Sequence, residues 1–522
     1  MTPTILERSR AVLAALLIAG FAGTARAEGD AAHDVPSDEI VTSEGTKPFE
    51  ATYLGGYRLG RREPHYVRAA LLEVGILATG TAYYWIWPTV NKRDWDFPDY
   101  ATRMAQFKPT FDSNLHVTNN LLHPFAGSLY YGSARLNGLS IPVAAAYDVG
   151  SAAAFEFFLE WLEKASINDL VVTPFGGLPA GEFFLHLGEY VDSAPEGHWW
   201  TTAGAIPFGV IHGVQRKVDG EPIVMAPPGM PADSLGFSSY HWHRFDTVAQ
   251  ASVVQNETGA RGAVYDFLVE ARIVSIPGFL RPGHFSLAFD DGNFTEARMK
   301  AHVGDDGAAS LDLFFDANLW GRYAQDVSRE GRGSASMIAL DASYRFLDRT
   351  FLGRRDQVAI IGPAGPEVKL FVVEPEATFS LEGAAHLDFA SIQSLAFPEY
   401  VDRYGLEGTR WVLHEQGYDY SFGWSAWARA MIQREGAELG ARAMVGSWGT
   451  FDCCDRFDGN VTKNAHGTER IVDAEAWMSF FVPHAPVEVR VFAEHLGHTS
   501  AMGPFVVSHW DRRLGAGLGL KF

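Results

Sequence analysis

The chain has 522 residues, 20% of them charged and 13% aromatic, and a formal net charge of −21. That balance argues against nucleic acid as a partner, because phosphate backbones are held by Lys and Arg footprints. Only Cys453 and Cys454 are present. Adjacent cysteines neither staple a fold nor offer metal or C-x-x-C spacing, and a strained vicinal disulfide and two inert loop thiols both fit them.

Arg8 and Arg10 flank an apolar run from Ala11 to Ala22, and Ala25-Arg26-Ala27 supplies an A-x-A cleavage signal. Residues 1–27 are therefore expected to be a signal peptide. Cleavage removes Arg8, Arg10, Arg26 and Glu7, leaving a mature chain near −23. Residues 28–60 read as a flexible polar segment, and residues 61–190 as a helical unit. Within it Tyr66–Trp87 is apolar but interrupted by Arg68 and Glu73, which reads as a buried or interfacial helix.

Polar residues then punctuate an apolar background between Phe111 and Tyr190. Pro124 suits the first turn of a helix and Gly138 its left-handed end. On that helix Gly127, Tyr131 and Arg135 stack at i, i+4 and i+8. A second helix, from near Ser140, carries Glu156, Glu160 and Glu163 on one face. Glu156 has apolar neighbours on both sides and is expected to be buried. A buried carboxylate needs a partner, and Arg135 is the natural candidate. Glu160 and Glu163 fit a solvated face equally well. Asn168-Asp169 turns the chain, Gly176-Gly177 permits close backbone approach, and Glu182, His186 and Glu189 share a helical face.

Residues 191–238, rich in Gly and Pro, read as linker or loops. From about residue 239 the period becomes two. Tyr265–Ile273, Leu311–Leu319, Ile338–Phe346, Tyr420–Ile432, Val472–Phe480 and Val487–Ala493 each alternate apolar with polar residues. The last stretch places Leu514, Ala516, Leu518, Leu520 and Phe522 on one face, the pattern of a closing strand of an outer-membrane barrel. The prediction is a membrane β-barrel of about 12 antiparallel strands over 239–522, with the N-terminal α-helical unit packed in or against it. The polar strand face would line a pore or meet the helices. Phe397–Gly408 reads as a loop or short helix between strands, Asp290-Asp291-Gly292-Asn293 as a hairpin turn, and His241 and His243 as an exposed or lumen-lining pair.

The helical segment resembles a family of bacterial envelope proteins defined by a domain of unknown function. The resemblance rests on His123-Pro124, Gly127, Tyr130-Tyr131, Ala134-Arg135, Gly138, Glu156, Ser166-Ile167-Asn168-Asp169, Thr173-Pro174, Gly176-Gly177 and Gly181-Glu182, and covers about Asp112–Leu187. Phe155 stands where the family pattern would have Trp before the Glu. The resemblance implies a shared fold and an envelope location, and supplies no activity.

Candidates for a ligand site or a hydrogen-bonded network are Asn120, His123, Tyr131, Arg135, Glu156, Asn168, Asp169 and Glu182. For catalysis, His123 with Glu156 or Asp169 would make a base and its orienter, with Ser128, Ser133 or Ser166 as nucleophile. No G-x-S-x-G or H-E-x-x-H motif accompanies them, so no metal or cofactor is expected. The functional expectation is an outer-membrane barrel of a Gram-negative-type bacterium with a structural, solute-binding or transport role. The alternatives are a membrane-embedded hydrolase acting on lipid or envelope polymer with His123 as base, and a soluble periplasmic β-rich protein. Expected partners are outer-membrane lipid, a small or amphiphilic ligand, and the barrel assembly machinery, through the strand ending at Phe522.

Overall fold

The computed structural model describes residues 63–86, 95–192, 242–276, 278–304, 307, 309–405, 410–451, 453–457, 466–483 and 485–521. The expected signal peptide, the segment 28–60, most of the expected linker, His241 and Phe522 lie outside them.

The period-2 stretches form thirteen strands: β1 Trp242–Asn256, β2 Arg261–Val274, β3 Gly283–Phe289, β4 Phe294–Gly304, β5 Ala309–Val327, β6 Gly333–Phe351, β7 Arg354–Glu374, β8 Ala377–Gln393, β9 Tyr418–Arg434, β10 Ala437–Thr450, β11 Gly467–Phe481, β12 Val487–Met502 and β13 Phe505–Lys521. Every pairing is antiparallel. β13 pairs with β1 (Asp246 opposite Lys521, Asn256 opposite Asp511), which closes the barrel. β3 and β4 lie along successive halves of β5, Gly283–Phe289 opposite Val327–Gly321 and Phe294–Val303 opposite Asn318–Ala309. They are therefore one wall position broken at residues 290–293, and the barrel has 12 strands around its circumference. Asp290–Asn293 is thus a strand break and not the hairpin turn its sequence suggests. The expected insertion near Phe397 contains a short helix, Phe397–Tyr404, ended by Gly405 at φ 65°.

Connections at the end bearing the β1 start and the β13 finish are short, two residues between β7 and β8 and two between β9 and β10. The longest, between β8 and β9 and between β10 and β11, lie at the opposite end. We call these the termini end and the loop end. Cys453 and Cys454, in the β10–β11 loop, are not joined by a disulfide. A hydrogen bond with Cys453 and burial push the Cys454 thiol up, which suits the inert-thiol reading.

The two strand faces have different fates. The polar face points inward, and its charges pair across the lumen. Arg429 on β9 meets Glu296 on β4 at 2.6 Å, Arg345 on β6 meets Asp473 on β11 at 2.5 Å, and Arg244 on β1 meets Glu438 on β10 at 2.9 Å. Arg272 on β2 reaches Glu382 on β8 at 3.0 Å. Partners on distant strands can meet only if the lumen between them is filled by side chains. The apolar face points outward and is exposed at Ile338, Val372, Leu381, Leu387, Leu514 and Leu518, as a lipid-facing wall requires.

The helices pack on this outer wall. They are α1 Tyr66–Ile86, α2 Tyr100–Ala105, α3 His123–Leu136, α4 Ile141–Ala154 and α5 Asp169–Asp192, with π-helical turns at Thr118–Leu122 leading into α3 and at Phe155–Leu159 extending α4. Val172 of α5 packs with Tyr344, Phe346, Ala359 and Ile361, and Phe183 with Ala271 and Ile273. Tyr131 and Leu178 cluster with Ala317, Leu319 and Ala342. His243, expected to be exposed or lumen-lining, instead meets the Tyr190 ring of α5 at 4.6 Å. Along β6 the same outward face is bare at Ile338 and covered at Tyr344 and Phe346. The polar lumen face therefore meets neither a wide pore nor the helices, but itself.

α1, expected to be buried or interfacial, is mostly exposed: among its residues only Ala69, Glu73 and Tyr84 are buried. Most of what it exposes, including Val67, Leu71, Val74 and Ile86, is apolar.

Candidate functional site

The candidate polar residues of the helical unit collect in two networks at opposite ends of the seam between helices and barrel, while Glu73 pairs with Ser133 and Ser151 apart from both. Both depend on how closely α3 and α5 approach. A Cβ on Gly127 would lie 1.8 Å from the Thr173 carbonyl oxygen, and one on Gly177 2.5 Å from the Gly127 carbonyl carbon. Only glycine fits at that crossing. α3 and α5 run parallel, so His123 faces Thr173 and Arg135 faces Glu182.

The loop-end network is built on Ser166-Ile167-Asn168-Asp169. The Ser166 hydroxyl accepts from the Asp169 N–H (3.2 Å) and donates to Asn168 Oδ1 (2.9 Å), and the Asn168 carbonyl accepts from Val172 N–H, starting α5. The Asn168 amide donates to Asp169 (2.7 Å) and Asp112 (3.2 Å). Asn119 donates to Asp112 and to the Tyr420 hydroxyl of β9, the latter at 2.7 Å. Glu156 accepts from the Ser166 N–H at 2.8 Å. His123 Nδ1 lies 3.2 Å from Thr173 Oγ1, and its Nε2 3.7 Å from Asp169 Oδ1.

Asn120 ties the same end to the wall. Pro124 has no N–H to offer the carbonyl four residues back, which is that of Asn120. The Tyr344 hydroxyl of β6 donates to that carbonyl, and the Asn120 amide donates to Ser391 of β8 at 3.0 Å.

The termini-end network centres on Glu182, which is fully buried. Arg135 Nε meets it at 2.5 Å, Tyr131 donates its hydroxyl to it, and His186 Nε2 lies 3.5 Å away. The other arm of Arg135 reaches Asp291 in the β3–β4 break at 2.5 Å, and His186 bonds the Asp291 carbonyl at 3.1 Å. Gly292 there has φ 62°, and a Cβ would sit 2.7 Å from Glu182 Oε2. The wall opens where the buried carboxylate presses against it.

Some expectations are corrected. Arg135 does not neutralise Glu156, because the two stand at opposite ends of the unit. His123 and Asn168 do not share a network with Arg135 and Glu182. Ser128, Ser133 and Ser166 bond the Phe125 carbonyl, Glu73 and Asn168, and the hydroxyl beside His123 is that of Thr173. Glu163 is buried and accepts from the Tyr84 hydroxyl.

Sequence reading missed Asp112, Asn119, Thr173, Tyr420, Asp291 and Tyr418, whose hydroxyl accepts from the Asn119 amide at 3.1 Å. It also missed Arg103, whose guanidinium donates to the Glu156, Phe157 and Glu163 carbonyls at 2.6–2.9 Å. A cation satisfying final carbonyls is a general way to end a helix, and Arg103, the one charged residue between Tyr100 and Phe107, was the available signal.

A domain of unknown function, DUF3943, matches residues 108–208, a range containing the stretch that carries the family resemblance. Comparison with curated proteins finds no match. Among solved structures the chain is similar to the NanC porin (10% identity, 51% of this chain and 98% of that one, TM-score 0.22). It is also similar to the COG4313 outer membrane channel of Pseudomonas putida F1 (10%, 56% and 99%, 0.24). A third is the translocator domain of the autotransporter NalP from Neisseria meningitidis (12%, 62% and 96%, 0.19). At scores this low the likeness carries no argument, and the barrel rests on its own strand pairing.

Proposed function

We propose that the protein is a non-conducting outer-membrane barrel that mounts a lipid-immersed helical unit on its outer wall. In this reading the seam between helices and wall does the protein's work, as a structural and ligand-binding element. The observation that carries it is the lumen, crossed by paired charges from β1 to β10 and from β4 to β9. Helix lengths support immersion. The π turn and α3 together span Thr118–Leu136, about 28 Å at ~1.5 Å per residue, and α1 about 32 Å, against a hydrocarbon core of ~30 Å. The short turns at the termini end suit the periplasm and the long loops the cell exterior.

Purified full chain in planar bilayers tests this reading. We expect insertion without conductance steps. Stable single-channel steps in the wild-type protein would refute the closed lumen.

One contact favours the second reading, a hydrolase acting on lipid or envelope polymer. His123, partly exposed, bridges a threonine hydroxyl and a carboxylate, the arrangement of a base between nucleophile and orienter.

A further inference from the structure

Inside the barrel, on the far side of the wall that seats α5, three carboxylates converge. Asp316 on β5, Asp341 on β6 and Glu367 on β7 are each 1% exposed or less, and one oxygen from each lies within 4.8 Å of the others. The strand register is irregular beside all three: between Asn318 and Trp320, between Asp341 and Ser343, and between Ile361 and Glu367. Bulges of this kind re-aim side chains, and three in successive strand pairs bring these acids together.

Local charge does not balance. Arg272 and Arg429 are taken up by Glu296 and Glu382. Among the described residues Lys369 is the cation beside the triad, bonded to Glu367, 3.8 Å from Asp316 and shared with Glu382 at 3.6 Å. With all three ionised, one ammonium would leave two negative charges among the buried side chains, which protons or a cation must neutralise. Three buried oxygens beside the triad find no hydrogen-bond donor among the described residues. Neither oxygen of Asp316 has a hydrogen-bond partner, and nor does Oδ1 of Asn318, a fully buried side chain whose amide faces Asp341 and Glu367. Turning that amide over would aim its oxygen at the acids, which is favourable only with a cation between them.

We propose that Asp316, Asp341 and Glu367, with the carboxamide oxygen of Asn318, bind one calcium ion inside the barrel. An all-oxygen donor set selects a hard divalent cation. Magnesium sheds its water reluctantly and keeps several aqua ligands, whereas calcium accepts carboxylate and amide oxygens in flexible geometry, which suits a site enclosed by side chains. His386, 2.9 Å from Asp341, would hold that carboxylate from behind, in a niche where Cβ atoms on Gly362 and Gly365 would collide with its ring. The lumen is closed, so the ion enters as the barrel folds. It lies directly behind the wall residues Ala317 and Ala342, which contact the helices.

The test uses full chain refolded from denaturant into detergent with no lipid, in 1 mM CaCl2 (a near-saturating level for a site of roughly 0.1 mM or tighter) or in EDTA, then exchanged into metal-free buffer. We expect about one calcium per chain retained by the calcium-refolded protein, a higher midpoint of heat modification than the EDTA-refolded protein, and loss of both in Asp316→Asn. Should Asp316→Asn fail to fold, Asn318→Ala serves, with at least a tenfold loss of retained calcium expected. Wild-type protein with no retained calcium and identical midpoints would overturn the proposal. So would calcium retained equally by a folded Asp316→Asn or Asn318→Ala variant.

Discussion

Replacing Gly127 by alanine tests the architecture of the helical unit at its tightest point. The new Cβ would lie 1.8 Å from the Thr173 carbonyl oxygen, and ordinary contact begins near 3.4 Å. The helices must therefore part by about 1.6 Å. A gap of ~0.5–1 Å already forfeits a quarter to a half of the dispersion well, so this displacement loosens the whole crossing. Overpacking a fitted core costs about 1–3 kcal/mol. Here the obstacle is backbone, and we expect about 3 kcal/mol or more. Gly132 and Gly150 are the controls, since a Cβ on either meets nothing within 4 Å, and alanine there should gain about 0.5–1 kcal/mol from helix propensity. Thermal unfolding in detergent, with limited proteolysis of the helical unit, reads the difference. A Gly127→Ala variant as stable and protease-resistant as Gly132→Ala would refute the close crossing.

Two further substitutions separate the remaining ideas. Tyr344→Phe should cost about 1–3 kcal/mol, the penalty for a buried carbonyl left unpaired, and equilibrium unfolding measures it; a neutral effect would mean that Asn120 is capped otherwise. Under the structural reading His123→Ala and Glu182→Gln lower the yield of assembled, heat-modifiable barrel, with the larger loss for Glu182→Gln, which weakens a buried ion pair. If instead His123→Ala assembles normally and abolishes a lipid change in envelope extracts, the hydrolase reading wins.

The barrel was legible because its two environments differ. Asp312, Asp341 and Asp473 alternate with apolar neighbours that meet lipid or helix, and a period of two survives whatever covers the outer face. For the same reason the position of the helices was not legible. Tyr344 and Phe346, covered by α5, follow the same pattern as Ile338 and Leu340, which are exposed among the described residues. Gly127 and Gly176-Gly177 announced a close approach, and the structure has one. The partner of Arg135 was out of reach, because Asp291 lies 156 residues away in a stretch that looks like a turn. Glu156 seemed to need Arg135 only because depth along a helical bundle does not show in a sequence.

The alternation of the helices has a topological consequence. α1 starts beside Asn137 at the termini end, where the His65 N–H bonds the Asn137 carbonyl. It finishes at the loop end, where Tyr84 meets Glu163. α3 returns, α4 goes back and α5 returns again, delivering the chain to β1. Four passes are an even number, as are the twelve of the barrel, so the unit adds mass to the wall without altering sidedness. A reporter joined ahead of α1 and another joined after β13 would be shielded from, or open to, an impermeant label together.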